Sequence, residues 1–308
     1  MVRYLRSTAI SASALVLLLA TDAAGGAGPA PVIAPAPVAA VLPGAAPAAA
    51  PPPLVRALPP TVLPDQGRAK LAAEPQTVFT GSGFDACSAP SLDAMRAWRG
   101  ASPYGAIGIY TSGRQRACAQ TRLTRDWVRQ VRALGWRLLP THVGRQAPCF
   151  AGDHKPDRID PAKAVQQGRE EAAEAVRAAR ALGLGPGSPL YLDIEAYKPG
   201  DPGCAKAVID FTVGWTQALH GAGYFAGYYS SLDSGVADLV AAARAGAGPL
   251  PDAVWYARWD GKPATDALPA TLWTEHRRAH QHVGDRQEKY AGLQLTIDAD
   301  QLDTLVAR

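Results

Sequence analysis

No stretch of this sequence is apolar over the roughly 18 to 20 residues that a membrane-spanning helix needs. The longest such run, residues 9–20, is only about a dozen long, and no second run comes closer. There is no CxxC pair, no HExxH and no G-x-S-x-G. These absences argue against a zinc site and against a serine hydrolase elbow. Lys and Arg number 31 against 27 Asp and Glu, and no basic stripe interleaved with aromatics appears. Nucleic acid is therefore not the expected partner. Cysteine is scarce, with four residues.

What is present divides into three parts. Residues 1–27 have the form of a secretory leader: Arg3 and Arg6, an apolar stretch, then small residues from Ala23 to Ala27. Neither a paired arginine nor a cysteine just after the apolar stretch is found, so neither a twin-arginine route nor a lipid anchor is indicated. Residues 28–75 form the second part, and its stretch from Pro29 to Pro64 holds twelve of the 27 prolines, set among Ala and Val and nearly free of charge. Such a composition reads as an extended, disordered linker that spaces a folded part from the N-terminus. Residues 76–308 are long enough for one well-cored domain. They carry 26 basic and 24 acidic residues and all four cysteines, Cys87, Cys118, Cys149 and Cys204. In an exported chain an even count points to two disulfides, with three connectivities open.

Period-2 runs mark eight strands, at residues 80–86, 106–112, 135–143, 189–197, 223–231, 253–259, 279–283 and 292–298. Helical periodicity marks residues 91–99, 124–134, 162–182, 205–222 and 235–245. Strands alternating with helices imply parallel pairing, hence an α/β, TIM-like barrel of eight strands and five helices. Only eight residues separate the last two strands. Strand 7 is therefore expected to run antiparallel to its neighbours, so that strand 8 lies parallel to strand 1.

In such barrels the chemistry sits where strands end. That filter selects Asp85 after strand 1, Ser112 and Arg114 at strand 2, His142 at strand 3, Asp193 and Glu195 at strand 4, Tyr229 and Ser230 at strand 5, Trp259 and Asp260 at strand 6, and Asp298 at strand 8. In "YLDIEAY" alternation puts Tyr191, Asp193 and Glu195 on one face and Leu192, Ile194 and Ala196 on the other. Each cysteine falls just past a strand end, and bridging neighbouring loops favours Cys87 with Cys118 and Cys149 with Cys204.

The segments "GSGFDACSAPS", "YGAIGIYTSG", "YLDIEAY", "WTQALHGAGYFAGYYSS" and "VWYARWDG" resemble the actinobacterial secreted family described as glycoside hydrolase-like, over about residues 80–303. That family is similar to the family 25 glycoside hydrolases, lysozyme-like muramidases with an eight-stranded, five-helix barrel. The resemblance implies catalytic roles for Asp85, Asp193, Glu195 and Asp298. The strand-7 triplet His280-Gln281-His282 stands where aromatic-Gln-aromatic is usual.

On this reading Glu195 is the general acid, its pKa raised by Asp193, Asp85 and Asp298, while Asp193 stays ionised. Retaining and inverting separations are both open, and the resemblance suggests a substrate-assisted route for an amino-sugar polymer. The same pair would also serve as a structural ion pair with Arg114 or Arg145. Tyr191, Tyr229, Tyr256, Trp259 and Gln281 are the sugar-facing candidates. His280 and His282 lack matching carboxylate spacing, so no metal and no cofactor is expected. The expected protein is a secreted or envelope-associated monomer, not inserted in the membrane after leader cleavage. It acts on a cell-envelope polysaccharide, or binds one without cleaving it.

Overall fold

The computed structural model describes Leu71 and residues 76–308. The expected leader and, Leu71 apart, the linker lie outside the described residues. Eight strands close into a barrel in chain order. They are β1 (Val78–Asp85), β2 (Ala106–Ser112), β3 (Arg137–His142), β4 (Pro189–Asp193), β5 (Phe225–Ser231), β6 (Ala253–Ala257), β7 (Arg278–Tyr290) and β8 (Leu293–Leu305). The helices α1 (Leu92–Ala101), α2 (Arg125–Ala133), α3 (Ala164–Ala181), α4 (Pro202–Ala222) and α5 (Gly235–Arg244) connect the first six strands.

Local chemistry starts the helices where polar side chains can take up free amides. Ser91 accepts from Ala94 N, Thr124 from Trp127 N, and Asp201 from Gly203 N and Cys204 N. Strand alternation builds two apolar layers. Tyr191, Leu139, Phe225, Trp255 and Leu302 fill the barrel interior. Leu192 and Ile194 face the helices, with Phe211, Trp215 and Trp98. Burying one such large side chain stabilises the fold by roughly 2–3 kcal/mol. The helices α3 and α4 meet through two glycines: a Cβ on Gly168 would lie 2.0 Å from Phe211 O, and one on Gly214 2.1 Å from Val165 O.

Strand 7 differs from expectation. β7 pairs parallel with β6, from Val254↔Arg278 to Ala257↔Gln281. It is β8 that reverses, antiparallel to both β7 and β1. The cause lies in residues 284–290, which continue the strand instead of looping. The two-residue turn Ala291-Gly292 (φ 46° and 84°) then makes a hairpin, which joins only antiparallel strands. A helix-free segment carries the chain from β6 round to a parallel β7. Both disulfides form as strand order favours, Cys87–Cys118 and Cys149–Cys204.

Candidate functional site

The reversal of β8 is what brings its carboxylate to the mouth. Entering the barrel from that end, β8 sets Asp298 directly across from Asp85, the last residue of β1. Asp193 ends β4, and Glu195 lies just beyond it in the β4–α4 loop. Asp85, Asp193, Glu195 and Asp298 line one cleft of about 270 Å³, together with Tyr110, Arg116, Lys155 and Asp285.

Hydrogen bonds order this ring of acids. Tyr110 donates to Asp85 Oδ1 (2.6 Å) and Gln281 Nε2 to Asp85 Oδ2 (2.9 Å), with a longer reach to Asp298 Oδ2 (3.4 Å). The other side of the Gln281 amide, Oε1, accepts from the Tyr229 hydroxyl (2.9 Å) and from Trp259 Nε1 (3.0 Å). Asp285 N donates to Asp298 Oδ1 (2.7 Å). Gln146 spans the end of β4, donating to Asp193 O and accepting from Glu195 N.

Burial dominates the electrostatics. It pushes Asp85 up to about 7, reinforced by Asp298 and opposed by the bonds from Tyr110 and Gln281. It pushes Asp193 up to about 7 as well, opposed by the Lys155 ammonium and reinforced by Glu195 and Asp85. Asp298 is raised by burial, and Asp300, beneath it and bonded to Trp255 Nε1 (3.0 Å), is held well above the usual carboxylate range.

Sequence reasoning missed Lys155 and Asp300. Lys155, from the β3–α3 connection, contacts Glu195 Oε1 and stands 3.9 Å from Asp193 Oδ2. Burial works against its ammonium, but Asp193 and Glu195 outweigh that and raise its pKa. The ion-pair partner expected for the Asp193–Glu195 pair was Arg114 or Arg145. Arg145 instead faces Glu171, at 3.5 Å. Asp300 did leave a signal, since alternation along "TIDAD" puts it on the face of Asp298. Lys155 sits in an irregular loop and left none.

Three expectations need correction. Tyr256 does not face the cleft: it is buried on the outer side of β6, its ring 4.4 Å from His280 and its hydroxyl on Ala264 O. Its neighbour Trp255 takes the inward position, as alternation requires. Tyr191 points inward but lies deep in the barrel, bonded to Thr304 and Leu305 O. His142 turns away from the mouth, joining Ser112 Oγ (2.8 Å) to Glu171 (2.9 Å) and packing on Trp215. His280 likewise turns outward, with both ring nitrogens on carbonyl oxygens, so the departure in the strand-7 triplet falls mainly outside the cleft. Trp259 is 62% exposed at the rim.

Among the described residues no group of three or more His, Cys, Asp or Glu is placed to hold a metal, and no helix is long and apolar enough to cross a membrane.

A family model described as "Rv2525c-like, glycoside hydrolase-like domain" matches residues 96–302. Among solved structures, an uncharacterized protein of B. stearothermophilus is similar at 20% identity and a TM-score of 0.50, over 73% of this chain and 99% of its own. The Tat-secreted protein Rv2525c of Mycobacterium tuberculosis is 17% identical, over 72% of this chain and 95% of its own, with a TM-score of 0.47. A muramidase from Acremonium alcalophilum is 18% identical, over 72% and 92%, with a TM-score of 0.42. At 20% identity the first of these shows a likeness of fold alone. No match was found among curated proteins.

Proposed function

The chain belongs to the Rv2525c-like, glycoside hydrolase-like domain family, and from that premise we propose that it cleaves an amino-sugar-containing glycan of the cell envelope by carboxylate acid catalysis. The observation that carries this reading is the single cleft onto which Asp85, Asp193, Glu195 and Asp298 converge, with Asp85 and Asp193 both pushed up to about 7. A carboxyl poised near neutrality holds a proton to give and can take one back, as glycosidic cleavage requires. Asp193 and Glu195 supply the reacting pair. Asp85 and Asp298, joined by Gln281, tune it through their charge. Tyr229, Gln281 and the rim indole of Trp259 form the sugar-facing side. The two disulfides suit an oxidising compartment. With the leader removed, the protein works outside the cell as a monomer on a polysaccharide, without nucleic acid, cofactor or metal, spaced by the proline-rich segment.

One observation favours a second reading, that the cleft binds a glycan without turning it over. The Lys155 ammonium already rests on Glu195 and partly neutralises the acidic cluster. Incubating the purified protein with peptidoglycan and related amino-sugar glycans, while measuring both reducing ends and retention on the polymer, separates the two. Hydrolysis predicts release that falls about 100-fold or more in Glu195→Gln. Retention without release selects the binding reading, and neither signal sinks both.

A further inference from the structure

Hydrogen-bond accounting separates the carboxyls of the cleft. Asp85 accepts through both oxygens, from Tyr110 and from Gln281. Asp298 also accepts through both, from Asp285 N and from Gln281. Glu195 Oε1 is taken by Lys155. Asp193 differs: Oδ2 looks toward Lys155 at 3.9 Å, and Oδ1 is the one buried carboxylate oxygen without a hydrogen-bond partner among the described residues. An unpartnered buried oxygen is costly on a carboxylate, so this carboxyl favours the protonated form while the residue still lines the cleft.

Lys155 is held in place, not merely nearby. Arg158 donates to Lys155 O and to Gly152 O (2.7 Å), and its guanidinium lies 4.9 Å over the Phe150 ring. Gln115 clasps the same loop through Asp157, accepting from its N (2.6 Å) and donating to its O (3.1 Å). The Cys149–Cys204 disulfide ties its base to α4. The Lys155 side chain is 6% exposed. The groups that meet Asp193 from the packed elements are Glu195, Lys155, Asp85 on β1, Tyr110 on β2, and Tyr228 and Tyr229 on β5. Burial holds all three phenols above their usual range, so they stay neutral, and Lys155 is the one cation of the set.

We infer that Asp193 is the proton donor of the cleft and that Lys155 is a positioning residue which fixes this division of labour by holding Glu195 as the carboxylate partner. This exchanges the two roles expected from the sequence, and it rests on the glycan-cleavage reading above. In the step, the Asp193 carboxyl proton passes to the glycosidic oxygen as its bond to the anomeric carbon breaks. The leaving sugar departs as a neutral alcohol. Glu195 faces the positive charge left at that carbon, water adds its oxygen there, and the water's proton returns to Asp193. One water is consumed and both carboxyls end as they began.

The test is an NMR pH titration of the mature secreted protein carrying ¹³C-labelled Asp and Glu carboxyls, run for wild type, Lys155→Met and Lys155→Arg, beside the pH profile of glycan cleavage. Asp193 titrates near neutrality in wild type. In Lys155→Met its midpoint climbs by a unit or more, a tenfold gain in proton affinity, and the alkaline limb of kcat/KM climbs with it; Lys155→Arg stays near wild type. Titration of Asp193 in the ordinary carboxylate range, no movement in Lys155→Met, or cleavage that survives Asp193→Asn overturns the assignment. Should Lys155→Met not fold, the wild-type titration decides alone. A wild type that titrates as stated but releases no reducing ends overturns the glycan reading and leaves the charge assignment standing, so the two fail separately.

Discussion

Asp85 lies at the point where burial, a facing Asp298 and two donated hydrogen bonds are weighed against one another, and burial wins, with the group pushed from 3.8 up to about 7. The linkage follows from the sign of that shift. Below 3.8 both folded and unfolded chains hold the proton; between 3.8 and about 7 the unfolded chain releases it first, so stability falls as pH rises through that window. Asp85→Asn, which cannot ionise, is therefore expected to gain on the order of 2 kcal/mol over wild type at pH 8 and little at pH 4, read from urea unfolding at both values. A gain that is equal at the two pH values would mean Asp85 is not the group that titrates. Gln281 is the second residue whose chemistry can be isolated. Its one amide joins the rim indole of Trp259 to Asp85 and Asp298. Gln281→Leu keeps the volume and removes both links, so Trp259 emission should shift and glycan release should drop at least tenfold, whereas unchanged emission would show that the indole does not depend on the amide. Asp85 was legible from its place at a strand end, and Gln281 through the resemblance of the strand-7 triplet. Lys155 was not. Its place depends on an irregular loop held by Arg158 from within and by the distant Gln115 through Asp157, and no periodic pattern encodes that.

At the level of elements, the parallel half of the barrel could be read from periodicity and the closing half could not. The first six strands are short, bounded by helices, and begin and end within a few residues of the expected positions. β7 and β8 are each thirteen residues long, and the second half of β7 is polar and exposed as it leaves the barrel, so it reads as a loop. The Ala-Gly turn was the missed clue, since consecutive positive φ values belong to a hairpin. Ahead of that turn, in β7, Gly284 lies under Trp259, where a Cβ would come within 2.3 Å of the indole. The α3–α4 contact makes a sharper prediction. In Gly214→Ala the added methyl meets backbone, not a flexible side chain, so the helices must part. Better intrinsic helix propensity offsets about 1 kcal/mol, and the net loss should still be about 2 kcal/mol, seen as a lower urea midpoint with unchanged slope. A variant as stable as wild type would show that these helices can separate at little cost.

Across the whole molecule, the two disulfides sit on the same end as the acidic cleft, bridging the loops after β1 and β2 and the loops after β3 and β4. They close segments separated by 31 and 55 residues, which by chain entropy contributes roughly 4 kcal/mol apiece. The barrel itself is cored by aromatics on both sides of the sheet and does not need them to define its topology. Their position suggests a more local purpose, because Cys149 begins the loop that carries Lys155, and Cys204 opens α4 just after Glu195. Paired replacement by serine at Cys149 and Cys204 should therefore lower global stability and, beyond that, loosen the mouth selectively. Amide hydrogen exchange over residues 150–158 is expected to accelerate by more than the global loss accounts for, while exchange at the α3–α4 contact tracks the global loss alone. The same replacement at Cys87 and Cys118 should leave residues 150–158 moving only with the global change. If the two pairs affect that loop alike, the disulfides serve the fold as a whole, and Lys155 is held by Arg158 and Gln115 without help from the bridge.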